Sequence, residues 1–254
     1  MRSLIINADD FGISKDVNNA IMAAMDLNIC TDTTLLVNFE NSRHAAELAI
    51  NQNRKNNIGI HLNLTEGHPL TAKIKNERRF CNAEGLFHLK KKEHILILTK
   101  SEKSAVYEEL ISQIFLCRAF GIPISHADSH NHIHEEPGLM HLMVDILKKE
   151  KIPYLRLTNN LGKTSFINKV YRNFYNRNIS CHRLAGTDYF GSTTNLIDYN
   201  KELKANSIIE LMIHPGRLDS NQIYDVYSRE NLSMLLPGII SGYKLLSYND
   251  LNKR

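Results

Sequence analysis

Apolar runs of strand length alternate with stretches of helical spacing along the chain. Leu4 to Ala8 is the kind of apolar run that fills a parallel sheet covered on both faces. Ser14 to Leu27 follows with Val17, Ile21, Ala24 and Met25 at helical spacing. Thr33 to Phe39 predicts a second strand, and Ser42 to about Arg54 a helix with Ala45, Leu48 and Ala49 inward. In Ile58 to Leu64, alternation puts Ile58, Ile60, Leu62 and Leu64 on one face and His61 with Asn63 on the other. Ser101 to Phe120 is an amphipathic helix that Gly121 and Pro123 stop. Ile122 to Asp128 predicts a fourth strand, Pro137 starts a helix, and Tyr154 to Thr158 predicts a fifth strand. Ser165 to Asn176 is helical, and Asp188 to Phe190 is a weak strand. Ile208 to His214 is an apolar strand ended by Pro215-Gly216, Arg229 to Leu236 a last helix, and Leu245, Leu246 and Tyr248 a closing strand.

Seven or eight strands alternating with helices predict a mostly parallel α/β sheet. The expected form is a distorted (β/α) TIM-like barrel in a single domain over residues 1–254, with a doubly wound open sheet as the alternative. Residues 65–100 fit no strand–helix unit and read as an inserted loop region able to cover a pocket, with Lys90-Lys91-Lys92 as solvated surface. At 254 residues and 43% hydrophobic, the chain can build a substantial core. The net charge of +4 is spread out with no basic, aromatic-interleaved stripe, so nucleic acid is not an expected partner. Cys30, Cys81, Cys117 and Cys181 are far apart and form no CxxC, as in a reduced, cytoplasmic protein. The first apolar run is too short for a signal peptide or a membrane span, so no membrane partner is expected; a homodimer is the base-rate expectation for oligomeric state.

Candidate chemistry concentrates in Ser125 to His134, where His126, Asp128, His130, His132 and His134 occupy alternate positions. An unbroken strand would turn all five to one side, a face that needs a metal, water or a polar substrate. Asp9 and Asp10 end the first strand just before Gly12, though one carboxylate or Ser14 could simply cap the next helix. His61 stands near the end of the third strand and His214 at the end of a late one. Arg156 in an apolar strand needs either a buried acid or a substrate. In a barrel these strand ends converge on one mouth. Asp10, His61 and His126 could then offer a divalent ion one carboxylate and two imidazoles, with Asp9 as base and His214 as acid. That is metal-assisted hydrolysis of an amide or ester. No GxSxG elbow, GxGxxG or P-loop occurs.

Asn7-Ala8-Asp9-Asp10-Phe11-Gly12, Gly59 to Gly67, His126 to His134 and His214-Pro215-Gly216 resemble, in order, the motifs of the YdjC-like carbohydrate deacetylases, the chito-oligosaccharide deacetylase family. Leu246-Ser247-Tyr248 resembles the family's ending. The resemblance implies a distorted barrel, one divalent metal (magnesium by family, with zinc also suited to imidazoles), and hydrolysis of the N-acetyl group of an N-acetylglucosamine-containing sugar. It makes His61 and His126 metal ligands with Asp10 as the third. Similarity to the wider polysaccharide deacetylases makes Asp9 the base and His214 the acid, although the two aspartates could exchange roles. Asp128 would orient a ligand histidine, while Phe11, Asn63, His130, His132, His134 and Arg156 would face substrate or support the ligands. With no tryptophan in the chain, ring stacking would fall to residues such as Phe11, Phe80, Tyr189 or Phe190. The rival readings are another metal hydrolase, such as a phosphoesterase, and an inactive sugar-binding homologue.

Overall fold

The computed structural model describes residues 1–89, 94–217 and 222–251; the lysine run at 90–92 lies outside them. The first half runs β1 (Ser3–Phe11), α1 (Lys15–Asp26), β2 (Asp32–Leu35), α2 (Ser42–Asn51), β3 (Ile58–Leu62), α3 (Ala72–Lys75), α4 (Lys100–Ala119) and β4 (Ala127–Ser129). The second half runs α5 (Pro137–Lys149), α6 (Phe166–Cys181), β5 (Tyr189–Gly191), α7 (Thr193–Tyr199), β6 (Ile208–Ile213), β7 (Pro215–Arg217), β8 (Ile223–Asp225), α8 (Leu232–Ile240), β9 (Lys244–Leu245) and α9 (Tyr248–Leu251).

β1 is buried along its whole length and sits centrally, between β2 and β6. The strand order is β4-β3-β2-β1-β6-β5, every pairing is parallel, and β9 adds to the start of β1. Aliphatic side chains of β1, β3 and β6 pack beneath the helices, each worth about 1.5–3 kcal/mol when fully buried. The sheet curls into a half-barrel. Between its edges, where a fifth strand was expected, Tyr154 to Asn160 makes one bridge to β4 (Ala127 with Leu155) and one 3.3 Å bond from Asn160 N–H to the Phe190 carbonyl. Pro153 brings no N–H to a ladder, and the Asn159 and Asn160 side chains bond backbone groups instead. The expected ring of seven or eight strands is therefore an arc spanned by a loop among the described residues.

Ser14 caps α1, its hydroxyl accepting from the Val17 N–H, which leaves the two aspartates free of that duty. In the 65–100 region, Glu109 of α4 accepts the N–H groups of Leu70 and Thr71, and Ile74, Phe80 and Phe87 are buried. The described part of this region thus packs on α4. β7 and β8 form an antiparallel hairpin, an element the Pro-Gly stop concealed. Among the described residues no helix is long and apolar enough to cross a membrane.

Candidate active site

The C-terminal ends of β1, β3, β4 and β6 meet at a cavity of about 260 Å³ lined by Asp9, Asp10, His61, His130, His132 and His214 among others. The backbone sets the aim of these groups. Asp10 has φ 68°, in the left-handed region, and Gly12 follows at φ 105°. Successive residues of a regular strand face opposite sides, and the left-handed turn at Asp10 lets both carboxylates line one cavity. Strand β4 ends at Ser129, and Asn131 and His132 turn through left-handed conformations (φ 54° and 56°). The five alternate residues of the histidine motif consequently do not share one face.

Asp10 Oδ1 lies 2.8 Å from His130 Nδ1 and 3.3 Å from His61 Nε2. These three donor atoms are close enough to one another to hold a metal ion. The other nitrogen of His61, Nδ1, is 2.6 Å from Asp128 Oδ1, and Thr34 Oγ donates to Asp128 Oδ2 at 3.0 Å. A carboxylate behind an imidazole fixes its tautomer and raises its basicity. Burial pulls the His61 pKa down, but Asp128 and Asp10 more than offset it and push it up to about 10. Burial would raise the Asp10 carboxyl, yet the bonds to His130 and His61 hold it well below the usual carboxylate range.

Arg156 is fully buried and paired on every side. It grips both oxygens of Asp9 at 2.6 and 2.7 Å, reaches Asp128 at 2.8 Å, and donates from Nε to Glu210 at 2.8 Å. Tyr248 donates to the second oxygen of Glu210. Arg156 is thus a buried salt-bridge centre and not a substrate contact. Burial acts against the charge of Asp9, but Arg156, His61 and His214 keep its carboxyl well below the usual range.

Across the cavity, His214 Nε2 stands 4.0 Å from Asp9 Oδ2, and its Nδ1 is 3.6 Å from Asp225 Oδ2. Asp225 is anchored by the N–H groups of His214, Tyr227 and Ser228. Burial pulls the His214 pKa down, and Asp225 with Asp9 and Asp10 raises it above the ordinary value. Tyr227, 67% exposed, sets its ring edge against His214 at 4.5 Å.

His126 is the main departure from expectation. It lies four residues before His130, roughly 13 Å back along an extended chain. Its Nε2 meets Asn7 Oδ1 at 3.0 Å, its Nδ1 meets Ser125 Oγ at 2.9 Å, and its ring stacks on Tyr248 at 3.8 Å. A side chain on Gly59 would fall 2.7 Å from this ring, so glycine makes room for it. Burial keeps His126 neutral, its pKa well below the ordinary value. The structure brings His130, not His126, to Asp10 and His61.

Phe11, Phe80 and Phe190 are buried, and Tyr189 lines a different cavity, so none of the expected aromatics reaches the mouth; Tyr227 does. Asn63 is buried and organises its own loop, accepting from Thr65 and Glu66 N–H groups. That loop brings Glu66 to 3.5 Å from His130 Nε2. His134 is buried against Ser129, and His132 lines the cavity. Asp225, Tyr227 and Glu210 were not foreseen. Glu210 carried a usable signal, since an acid inside the apolar Ile208–Ile213 strand is the complement of Arg156.

The chain is 34% identical over 226 residues to a Clostridium beijerinckii protein named carbohydrate deacetylase, covering 85% of this chain and 82% of that one. It is 31% identical over 225 residues to a Vibrio campbellii protein of the same name, covering 86% and 80%. A solved structure from Enterococcus faecalis V583, assigned as a cellobiose-phosphate cleavage protein, superposes with a TM-score of 0.76 over 98% of each chain at 22% identity, a likeness of fold. The family described as YdjC-like protein matches residues 3–236, so the chain belongs to that family.

Proposed function

We propose that this chain is a single-domain, metal-dependent carbohydrate deacetylase that hydrolyses the N-acetyl group of an N-acetylglucosamine-containing sugar and releases acetate. The observation that carries the reading is the placement of Asp10, His61 and His130 beside the Asp9–His214 pair around one cavity. The donor set fits a divalent ion, because two imidazoles and one carboxylate converge and Asp128 orients the first imidazole. Two nitrogens suit a borderline ion such as zinc better than magnesium, which prefers oxygen. An ion held there supplies Lewis acidity toward the amide oxygen and the attacking water.

The remaining chemistry belongs to the chain. Asp9, ionised beside Arg156, is the carboxylate placed opposite His214 to take the proton of the attacking water. Arg156 fixes its orientation from below. His214, on the far side of the 4.0 Å gap, holds a proton for the departing amine. The relatives' names support a carbohydrate substrate, and the motif resemblance supports an N-acetylglucosamine-containing one.

The direct test is acetate release from N,N′-diacetylchitobiose by protein stripped of metal and reloaded with zinc or magnesium. Metal-dependent release supports the reading; no release with either ion, from this sugar or its phosphate, rejects it. The pH profile tests the acid. Asp225 raises the His214 pKa, and a general acid works only while protonated, so Asp225→Asn should move the basic limb of kcat to lower pH. An unmoved basic limb in this variant would remove His214 from the role.

A further inference from the structure

A second, smaller cavity of about 80 Å³ adjoins the first. Asp9, Asp10, His214 and Tyr227 line both and form the wall between them. The two sides differ in chemistry. The larger side adds Ser129, Asn131 and His132, which suit a hydroxyl-rich ring. The smaller side is completed by the aliphatic residues Ile13, Val17, Pro215 and Val226. An amide bond cleaved at the shared wall has a sugar on one side and an acyl chain on the other.

We infer that the small pocket is the acyl site and that its walls set the length of acyl chain the protein removes. This rests on the deacetylase reading and adds to it the chain length. An apolar cavity of about 150 Å³ takes a benzene ring, so about 80 Å³ takes roughly half as many carbons, an acetyl or a propionyl group. The pocket lies between the start of α1, which carries Val17, and the β7–β8 hairpin, which carries Pro215 and leads to Val226. The hairpin wall is fixed closely. The Val226 N–H bonds the His214 carbonyl at 2.9 Å, and a side chain on Gly216 would fall 2.7 Å from Val226 Cγ2. The acyl pocket and the catalytic histidine therefore share one backbone support.

The test uses the metal-loaded protein and glucosamine disaccharides carrying N-acetyl, N-propionyl or N-butyryl groups. The wild-type protein should release acetate and propionate readily and butyrate poorly. Val17→Ala and Val226→Ala enlarge the pocket from opposite walls, and each should raise the butyryl-to-acetyl ratio of kcat/KM by about tenfold or more. Val226→Phe fills the pocket from its exposed wall and should lower acetyl turnover by a similar factor with metal content unchanged. Two enlarging variants guard against one failing to fold. Acetyl turnover with a chain-length ratio unmoved in both overturns the inference alone. Failure of the wild-type protein to release any acyl group overturns the deacetylase reading, and this inference with it.

Discussion

His130→Ala should empty the metal site and lower turnover on the order of 10³-fold, whereas His126→Ala should keep its metal and lose stability. The contrast follows from where the two rings lie. His130 Nδ1 is 2.8 Å from Asp10 Oδ1 in the trio with His61, and one carboxylate and one imidazole do not make a strong site for a divalent ion. His126 has both nitrogens hydrogen-bonded within the protein, to Asn7 and Ser125, and its ring lies against Tyr248. Truncating it leaves a void and an unpaired Asn7 oxygen, a loss of about 2–4 kcal/mol. Elemental analysis and thermal melting separate the outcomes in one experiment. A His126→Ala protein that loses its metal, beside a His130→Ala protein that retains it, would restore the ligand set expected from motif order.

Motif order does not show which histidine lies beside Asp10, for a physical reason. Alternate positions on a strand share a face, but they do not share a height. His126, Asp128 and His130 point to the same interior at successive levels, toward Asn7, toward His61 and Arg156, and toward Asp10 respectively. Only the last reaches the mouth. Periodicity in the sequence specifies the face and leaves the level to the neighbouring strands, whose register no pattern reveals. The parallel α/β sheet was legible for the same reason: apolar runs of β1, β3 and β6 need covering on both faces. The Asp9–Asp10 pair, His61 and His214 were legible because polar groups at the ends of such runs have no packing role. The β7–β8 hairpin and Asp225 were not, since Pro-Gly reads as a stop and a lone aspartate between Tyr224 and Val226 has no partner that a pattern reveals. The missing fifth strand shows the same limit. Tyr154 to Thr158 has strand composition, but Arg156 turns inward to three acids and only one bridge forms.

Arg156 carries the second large effect. Its guanidinium is the shared counter-charge for Asp9, Asp128 and Glu210, all of them buried. Arg156→Met keeps most of the volume and removes the charge, leaving three carboxylates in a dry interior. Breaking a buried ion pair from one side costs about 3–5 kcal/mol. The pH dependence gives the sign. In the wild-type protein the Asp9 pKa is depressed, so its contribution to stability is present above the unfolded carboxylate value near 4 and is lost as pH falls below it. Without Arg156, burial dominates at Asp9 and its carboxyl takes up a proton on folding. Its folded pKa then exceeds the unfolded one, and stability is lost as pH rises. The melting-temperature gap between wild type and Arg156→Met should therefore be larger at pH 8 than at pH 5. Adding Glu210→Gln removes one uncompensated charge and should recover part of the loss. Turnover should also fall about 10²-fold or more, because Asp9 loses the bidentate grip that holds it opposite His214. A gap independent of pH, with no recovery in the double variant, would mean that Arg156 acts by filling space and that the alignment of Asp9 has another source.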